Sequence, residues 1–231
     1  MNWKKEYKEC LLNNKYMLEK YIFENDLWQI QELLLETILK NNLTIITKSR
    51  NVGFTSLLAG LTAREIALNS EKKVSILYLS QNRNMCSEFK NRLKNYLKNI
   101  PEYLFTGEEK YNIQIGLLDN TYLKYDTYHF DICIIDEPVA CNNNIDIIKL
   151  VDFLKTISNK IIIGGTGNHN NETWFDFISK NKGNAPYIKM HWIDNPNNKN
   201  KDFNFIKKCY QNRIEDFEDE IECKVWKKIY L

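Results

Sequence analysis

Apolar runs and segments of helical period alternate along the chain from residue 43 onward. Leu43–Thr47, Val74–Ser80, Asp131–Asp136 and Lys160–Gly164 are apolar nearly throughout and do not alternate, which is the pattern of strands in a parallel sheet covered on both faces. Ile113–Leu118 and Tyr187–Trp192 read as two further strands. Between the strands, the spacing predicts helices over Ser56–Asn69, Met85–Leu97, Ile145–Ile157 and Thr173–Asn181. This βαβ rhythm specifies an α/β fold, a three-layer sandwich with a mainly parallel sheet. Small helical additions are expected at both ends: an N-terminal segment, Trp3–Leu39, and a tail, Phe203–Leu231. The polar, Pro-containing loop Asp194–Asn204 reads as a solvated linker and the one plausible hinge. The expected organisation is a single domain over 1–231, with a helical segment at 1–39, a core at 40–195 and a C-terminal lid or linker at 196–231. There is no internal repeat.

The length of 231 residues suits one sizeable α/β core and is too short for two full enzyme domains. Hydrophobic residues make up 43% of the chain and the formal net charge is +2, so the protein is expected to be globular and its overall charge does not announce nucleic acid. The Lys/Arg runs, among them Lys90/Arg92/Lys94/Lys98, are interleaved with other polar residues and read as solvated helix faces. Six cysteines without a CxxC pair fit a reducing cytoplasm. The start lacks the apolar core of a signal peptide, and no window has the length or apolarity of a membrane span. His129, His169 and His191 lie far apart without partners at ligand spacing, so neither structural zinc nor a Cys-His or Ser-His-Asp nucleophile is expected.

The chemistry concentrates at the ends of three strands. Thr47-Lys48-Ser49-Arg50-Asn51-Val52-Gly53-Phe54-Thr55 joins an apolar strand to a helix, where successive backbone N–H groups and a helix N-terminus can face an anion. Phe54 stands where the strict GxxxxGK[ST] pattern has lysine. A lysine acts on phosphate as a point charge on a flexible stem, so Lys48 can supply the ammonium from the start of the loop. Gly53 permits close approach, and the Thr55 hydroxyl is placed to hold Mg²⁺. Taken alone, the segment fits a plain strand–turn–helix equally well.

Phe130–Glu137 is an apolar strand ending in two carboxylates, the form of a Walker B motif. Asp136 is a candidate Mg²⁺ holder and Glu137 a candidate base that orients and activates water. Adjacent side chains on a strand point to opposite faces, so both can serve one site only if the strand ends here, and Pro138 supports that ending. Lys160–Gly164 is followed by Gly165-Thr166-Gly167-Asn168, in which Thr166 or Asn168 could sense a γ-phosphate, or which could be simply a loop.

With these three elements in order, the chain resembles the ATPase domain of the large terminase subunit of tailed bacteriophages over roughly residues 20–225. The resemblance implies a P-loop NTPase core of the ASCE type, with ATP and Mg²⁺ as cofactors. The family's deviant xSRxxGxT loop is matched by Lys48–Thr55, including the shifted lysine and the aromatic after glycine seen in one branch. The resemblance implies nucleotide contacts from Lys48, Ser49, Arg50, Asn51, Val52, Gly53, Phe54 and Thr55, with Gln31, or Gln29 as second choice, on the adenine side. It further implies Arg50 as an arginine finger in cis, Asp136-Glu137 as the acidic pair and Thr166 in the coupling motif. Asn171–Ile178, Tyr187–Trp192 and Phe217–Cys223 are similar to the end of that domain.

The chain departs from the family at 124–129, where Lys-Tyr-Asp-Thr-Tyr-His replaces the common Arg-Gly pair. The stretch after Thr166 is also too short for the family's RNase H-like nuclease, so no DNA cleavage is expected of this chain. The implied function is an ATP-driven motor that moves double-stranded DNA, independently of its sequence, into procapsids in the cytoplasm of an infected bacterial host. Its implied partners are a portal, a small terminase subunit and a separate nuclease polypeptide; the chain alone is expected to be a monomer and the assembled form a homo-oligomeric ring, with no membrane partner. The alternatives are a degenerate nucleotide-binding scaffold and a helicase-like P-loop ATPase.

Overall fold

The computed structural model describes residues 18–23, 26–69, 73–100, 111–119, 122–138, 145–167, 172–211 and 213–223. Among these, six strands form one sheet: β1 (Leu43–Lys48), β2 (Val74–Ser80), β3 (Tyr111–Leu117), β4 (Phe130–Asp136), β5 (Ser158–Gly165) and β6 (Tyr187–Met190). Their order is β3-β2-β4-β5-β1-β6, and every pairing is parallel. All the C-terminal strand ends therefore lie along one edge. The first loop strand, β1, is separated from the acidic strand β4 by β5 alone, so the chemistry-bearing ends predicted from sequence converge.

Neighbouring residues on each strand pack into opposite layers. Ile46, Ile76, Tyr78, Ile134 and Ile162 face a core shared with α1 (Gln29–Lys40), α2 (Phe54–Leu68) and α3 (Arg83–Asn99). Ile45, Leu77, Leu79, Ile135 and Ile163 face a second core with α4 (Ile147–Ile157) and α5 (Glu172–Asn181). The continuous apolar runs follow from this double coverage, since each fully buried Leu or Ile contributes about 1.5–3 kcal/mol and a polar residue on either face would forfeit that. A third, smaller cluster of Trp192, Phe217 and Ile221 holds the C-terminal helices α6 (Phe203–Cys209) and α7 (Ile214–Glu220).

Within the described part of the expected N-terminal helical segment, Leu18–Phe23 forms a π-helical stretch, and Trp28 is extended before α1 begins at Gln29. Two expectations change. The sixth strand stops at Met190 because Trp192–Asp194 forms a 3-10 turn, capped when the His191 N–H donates to Asp194 Oδ2 at 2.6 Å. The segment 194–204 is not a plain solvated linker. It contains a second 3-10 turn, Pro196–Asn198, and both Asn195 and Asn198 are buried. Asn198 Nδ2 donates to Trp192 O at 3.0 Å, and Asn195 Nδ2 reaches across to Asn51 O at 2.7 Å, so this segment is docked on the loop after β1.

Phe54 has a packing role that explains its place in the loop. Its ring is 2% exposed and lies against Gly164 of β5, where an added Cβ would come within 2.3 Å of Phe54 Cζ. Gly164→Ala is therefore expected to overpack this contact and cost about 1–3 kcal/mol. The melting temperature should fall by about 2–4 °C for each kcal/mol in a domain of this size. A thermal denaturation scan checks this, and an unchanged midpoint would show that the ring moves aside freely.

Candidate active site

β1 carries its strand geometry through Lys48, and the chain then turns sharply before α2 begins at Phe54. The turn uses two left-handed residues, Asn51 (φ 59°) and Gly53 (φ 72°). Asn tolerates this conformation and Gly adopts it without steric cost. A Cβ at Gly53 would lie 2.5 Å from Gln31 Nε2 and would push that amide aside. The first-turn N–H groups of α2 have no partners within the helix, so they and the positive end of its dipole suit an anion. A cavity of about 170 Å³ opens above them, lined by the loop from Lys48 to Ser56, Arg50 excepted, and by Glu88 and Arg92 of α3.

Beneath the loop, Lys48 is buried and its ammonium donates a hydrogen bond to Glu137 Oε1. The same ammonium lies 3.9 Å from Asp136 Oδ1. Burial acts to lower the Lys48 pKa, but the two carboxylates outweigh it and hold the ammonium above its ordinary value. Asp136 ends β4, and its Oδ2 accepts hydrogen bonds from Thr55 Oγ1 at 2.8 Å and Tyr78 OH at 2.9 Å. Burial raises the Asp136 pKa against the opposing pull of Lys48. Glu137 escapes the alternation of the strand because its backbone is left-handed (φ 63°), with its N–H donating to Gly164 O at 2.8 Å. Both carboxylates consequently meet the same lysine. Glu137 Oε2 accepts from Thr166 N at 2.9 Å and from Thr166 Oγ1 at 3.1 Å, which fixes its orientation from β5.

A divalent cation fits this arrangement. Asp136 Oδ1 is buried without a hydrogen bond, and the Thr55 hydroxyl is held against the same carboxylate. Carboxylate and hydroxyl oxygens on a phosphate-facing loop are the donor set that Mg²⁺ takes, with phosphate and water oxygens completing its shell.

Lys48, Gly53, Thr55, Asp136, Glu137 and Thr166 thus come together, and the remaining expected residues divide. Gln31 packs on the loop: its Oε1 accepts from Trp28 N at 3.0 Å and its Nε2 approaches Gly53 O at 3.5 Å, whereas Gln29 is exposed. Val52 and Phe54 are buried, so their contribution to a ligand is limited to backbone N–H groups. Ser49 faces the tail, donating from Oγ to Ile221 O at 2.5 Å and lying 2.9 Å from Cys223 Sγ. Arg50 also turns to the tail and away from the cavity; its N–H donates to Glu220 O at 2.9 Å and its guanidinium meets Glu220 Oε1 at 2.6 Å. Asn168 lies outside the described residues. Sequence reasoning did not find Tyr78, Asn195, Glu88 or Arg92, which lie far along the chain from the three motifs and carry no spacing signal of their own.

No protein-family model and no curated protein sequence matches the chain. Solved structures do. The large terminase ATPase domain of Thermus phage P74-26 superposes with a TM-score of 0.64 at 10% identity, covering 90% of this chain and 97% of that domain. The fold is that of a large-terminase ATPase domain. The large terminase of bacteriophage HK97 matches at a TM-score of 0.60 and 14% identity over 84% of this chain. The large terminase of a thermophilic bacteriophage in complex with ADP matches at 0.61 and 10% over 86%. This chain spans about half the length of those two terminases, 49% and 53% respectively. The terminase-type fold agrees with the expected α/β P-loop architecture, and among the described residues no helix is long and apolar enough to cross a membrane.

Proposed function

We propose that the chain is the ATP-hydrolysing motor unit of a viral DNA-packaging terminase. The observation that carries this reading is the cluster at the mouth of the loop, where Lys48, Asp136, Glu137 and Thr166 join the ends of three adjacent strands. Asp136 and Thr55 would hold Mg²⁺, which when bound would supply neutralisation of phosphate charge. The first-turn N–H groups of α2 cradle the phosphates, and Lys48 transfers its ammonium from Glu137 to them. Glu137, released from Lys48 and still held by Thr166, orients water and takes its proton. Arg50 exchanges Glu220 for the charge that develops on the phosphoryl group. Because Ser49 and Arg50 hold the segment Glu220–Cys223, such an exchange passes from the nucleotide to the C-terminal helices. Double-stranded DNA, a portal and procapsid, a small terminase subunit and further copies of this chain in a ring are the partners in this reading, in the cytoplasm of an infected host.

The test is an ATPase assay on the purified chain with and without double-stranded DNA of unrelated sequences and candidate portal or nuclease partners. Mg²⁺-dependent turnover is expected, together with DNA binding that weakens steeply as salt rises, since contacts to phosphates release counterions. Nucleotide binding without turnover under every condition would leave a terminase-like scaffold in its place.

A further inference from the structure

Four cationic residues of α3 share a run in the sequence, but they do not share an environment. Lys90, Lys94 and Lys98 are exposed, whereas Arg92 is half-buried on the side facing α2. Its side chain runs back toward the start of its own helix, as long helical side chains do, and so reaches the first turn of α2. There Nη1 donates to Ser56 Oγ at 2.8 Å, while Nε and Nη2 donate to Glu88 Oε1 at 3.0 and 2.6 Å. Arg92 and Glu88 both line the cavity above the loop. The arginine named in the loop, Arg50, does not.

We propose that Arg92 is a nucleotide-binding residue that exchanges the Glu88 carboxylate for the α-phosphate of the bound nucleotide. The assignment rests on reading the loop as a nucleotide site and names a further cation for it, from outside the loop. Lys48, Glu137 and Thr166 mark the γ-phosphate end, and the Thr55 hydroxyl marks the metal. Ser56, the next residue along α2, anchors Arg92 one position beyond that hydroxyl, and this offset from the γ-phosphate end assigns Arg92 to the α-phosphate. An exposed pair four residues apart on a helix contributes little, whereas a guanidinium fork on a phosphate is a strong, directional contact. Glu88 therefore holds the guanidinium in place and yields it to phosphate. With Phe54 in the usual lysine position, the loop has one lysine, and Arg92 supplies a further positive charge to the polyphosphate from α3.

Titration of the full chain with MgADP and MgATPγS by calorimetry tests this, with thermal melts to establish folding. Arg92→Ala is expected to weaken both ligands by the same factor, about tenfold to a hundredfold, because they share the α-phosphate. Arg92→Lys should recover part of the loss, and Glu88→Gln should tighten both ligands by removing the competing carboxylate. Loss of affinity in Glu88→Gln as well would make the pair a structural brace between α2 and α3 and overturn the proposal. Weakening of MgATPγS alone would move Arg92 to the γ-phosphate and overturn the α-phosphate assignment. Unchanged binding in Arg92→Ala, while Lys48→Ala weakens it strongly, sinks this inference and leaves the nucleotide site standing. Absence of MgADP binding by the unaltered chain removes both.

Discussion

Lys48→Ala is expected to abolish ATP turnover and to weaken MgADP binding by about a hundredfold or more, because it removes the only lysine in the loop and Phe54 cannot donate. The packing makes the substitution costly in a second way. Asp136 and Glu137 are both buried, and the substitution removes the ammonium that both of them face. Breaking a buried ion pair from one side costs about 3–5 kcal/mol, so lost activity could come from lost folding. Lys48→Arg separates the two effects. It keeps a positive charge beside both carboxylates, while the larger guanidinium does not fit the ammonium's place between Glu137 and the loop. Both variants are expected to lose turnover, and the arginine variant is expected to retain most of the melting temperature. Full turnover in either folded variant would remove Lys48 from the phosphate site.

The sheet was legible in the sequence because burial on both faces leaves a simple mark, an unbroken apolar run. All six strands lie within a few residues of the expected spans, and their parallel order follows from the helices between them. The acidic pair was legible for a related reason. Asp136 and Glu137 end a buried strand, where ionised groups need a purpose, although the left-handed backbone at Glu137 that brings both to Lys48 had no sequence signature beyond the neighbouring proline. Phe54 looked like damage to a lysine motif and is a core residue whose ring needs Gly164 opposite it.

What stayed hidden is contact between distant segments. Asn195 and Asn198 sit in a stretch of Asn, Lys and Pro whose composition indicates solvent, yet each is buried because its amide finds a backbone carbonyl. Arg50 belongs to a phosphate-binding motif by position, and its side chain is held by Glu220, 170 residues later. Composition cannot report such pairings, because the same residues make equally good solvated loops.

Glu137→Gln is expected to lower turnover by about 10²–10⁴-fold while MgATP affinity holds within a few-fold. The amide is the same size as the carboxylate, and its oxygen can still accept from Thr166 N and Oγ1, so the position of the side chain survives. What it loses is the ability to take a proton from water, an effect confined to the transition state and therefore visible in kcat and not in binding. Lys48 gives the binding half of the expectation. In the unliganded chain its ammonium is engaged by Glu137 and must leave that carboxylate to meet a phosphate. The glutamine weakens that engagement, so it removes a competitor for the lysine and gives no reason for affinity to fall. Single-turnover hydrolysis and equilibrium binding, measured on the same preparation, read the two quantities separately. A collapse of affinity with unchanged hydrolysis per bound nucleotide would make Glu137 a partner that positions Lys48, and would place the base elsewhere along the ends of β4 and β5.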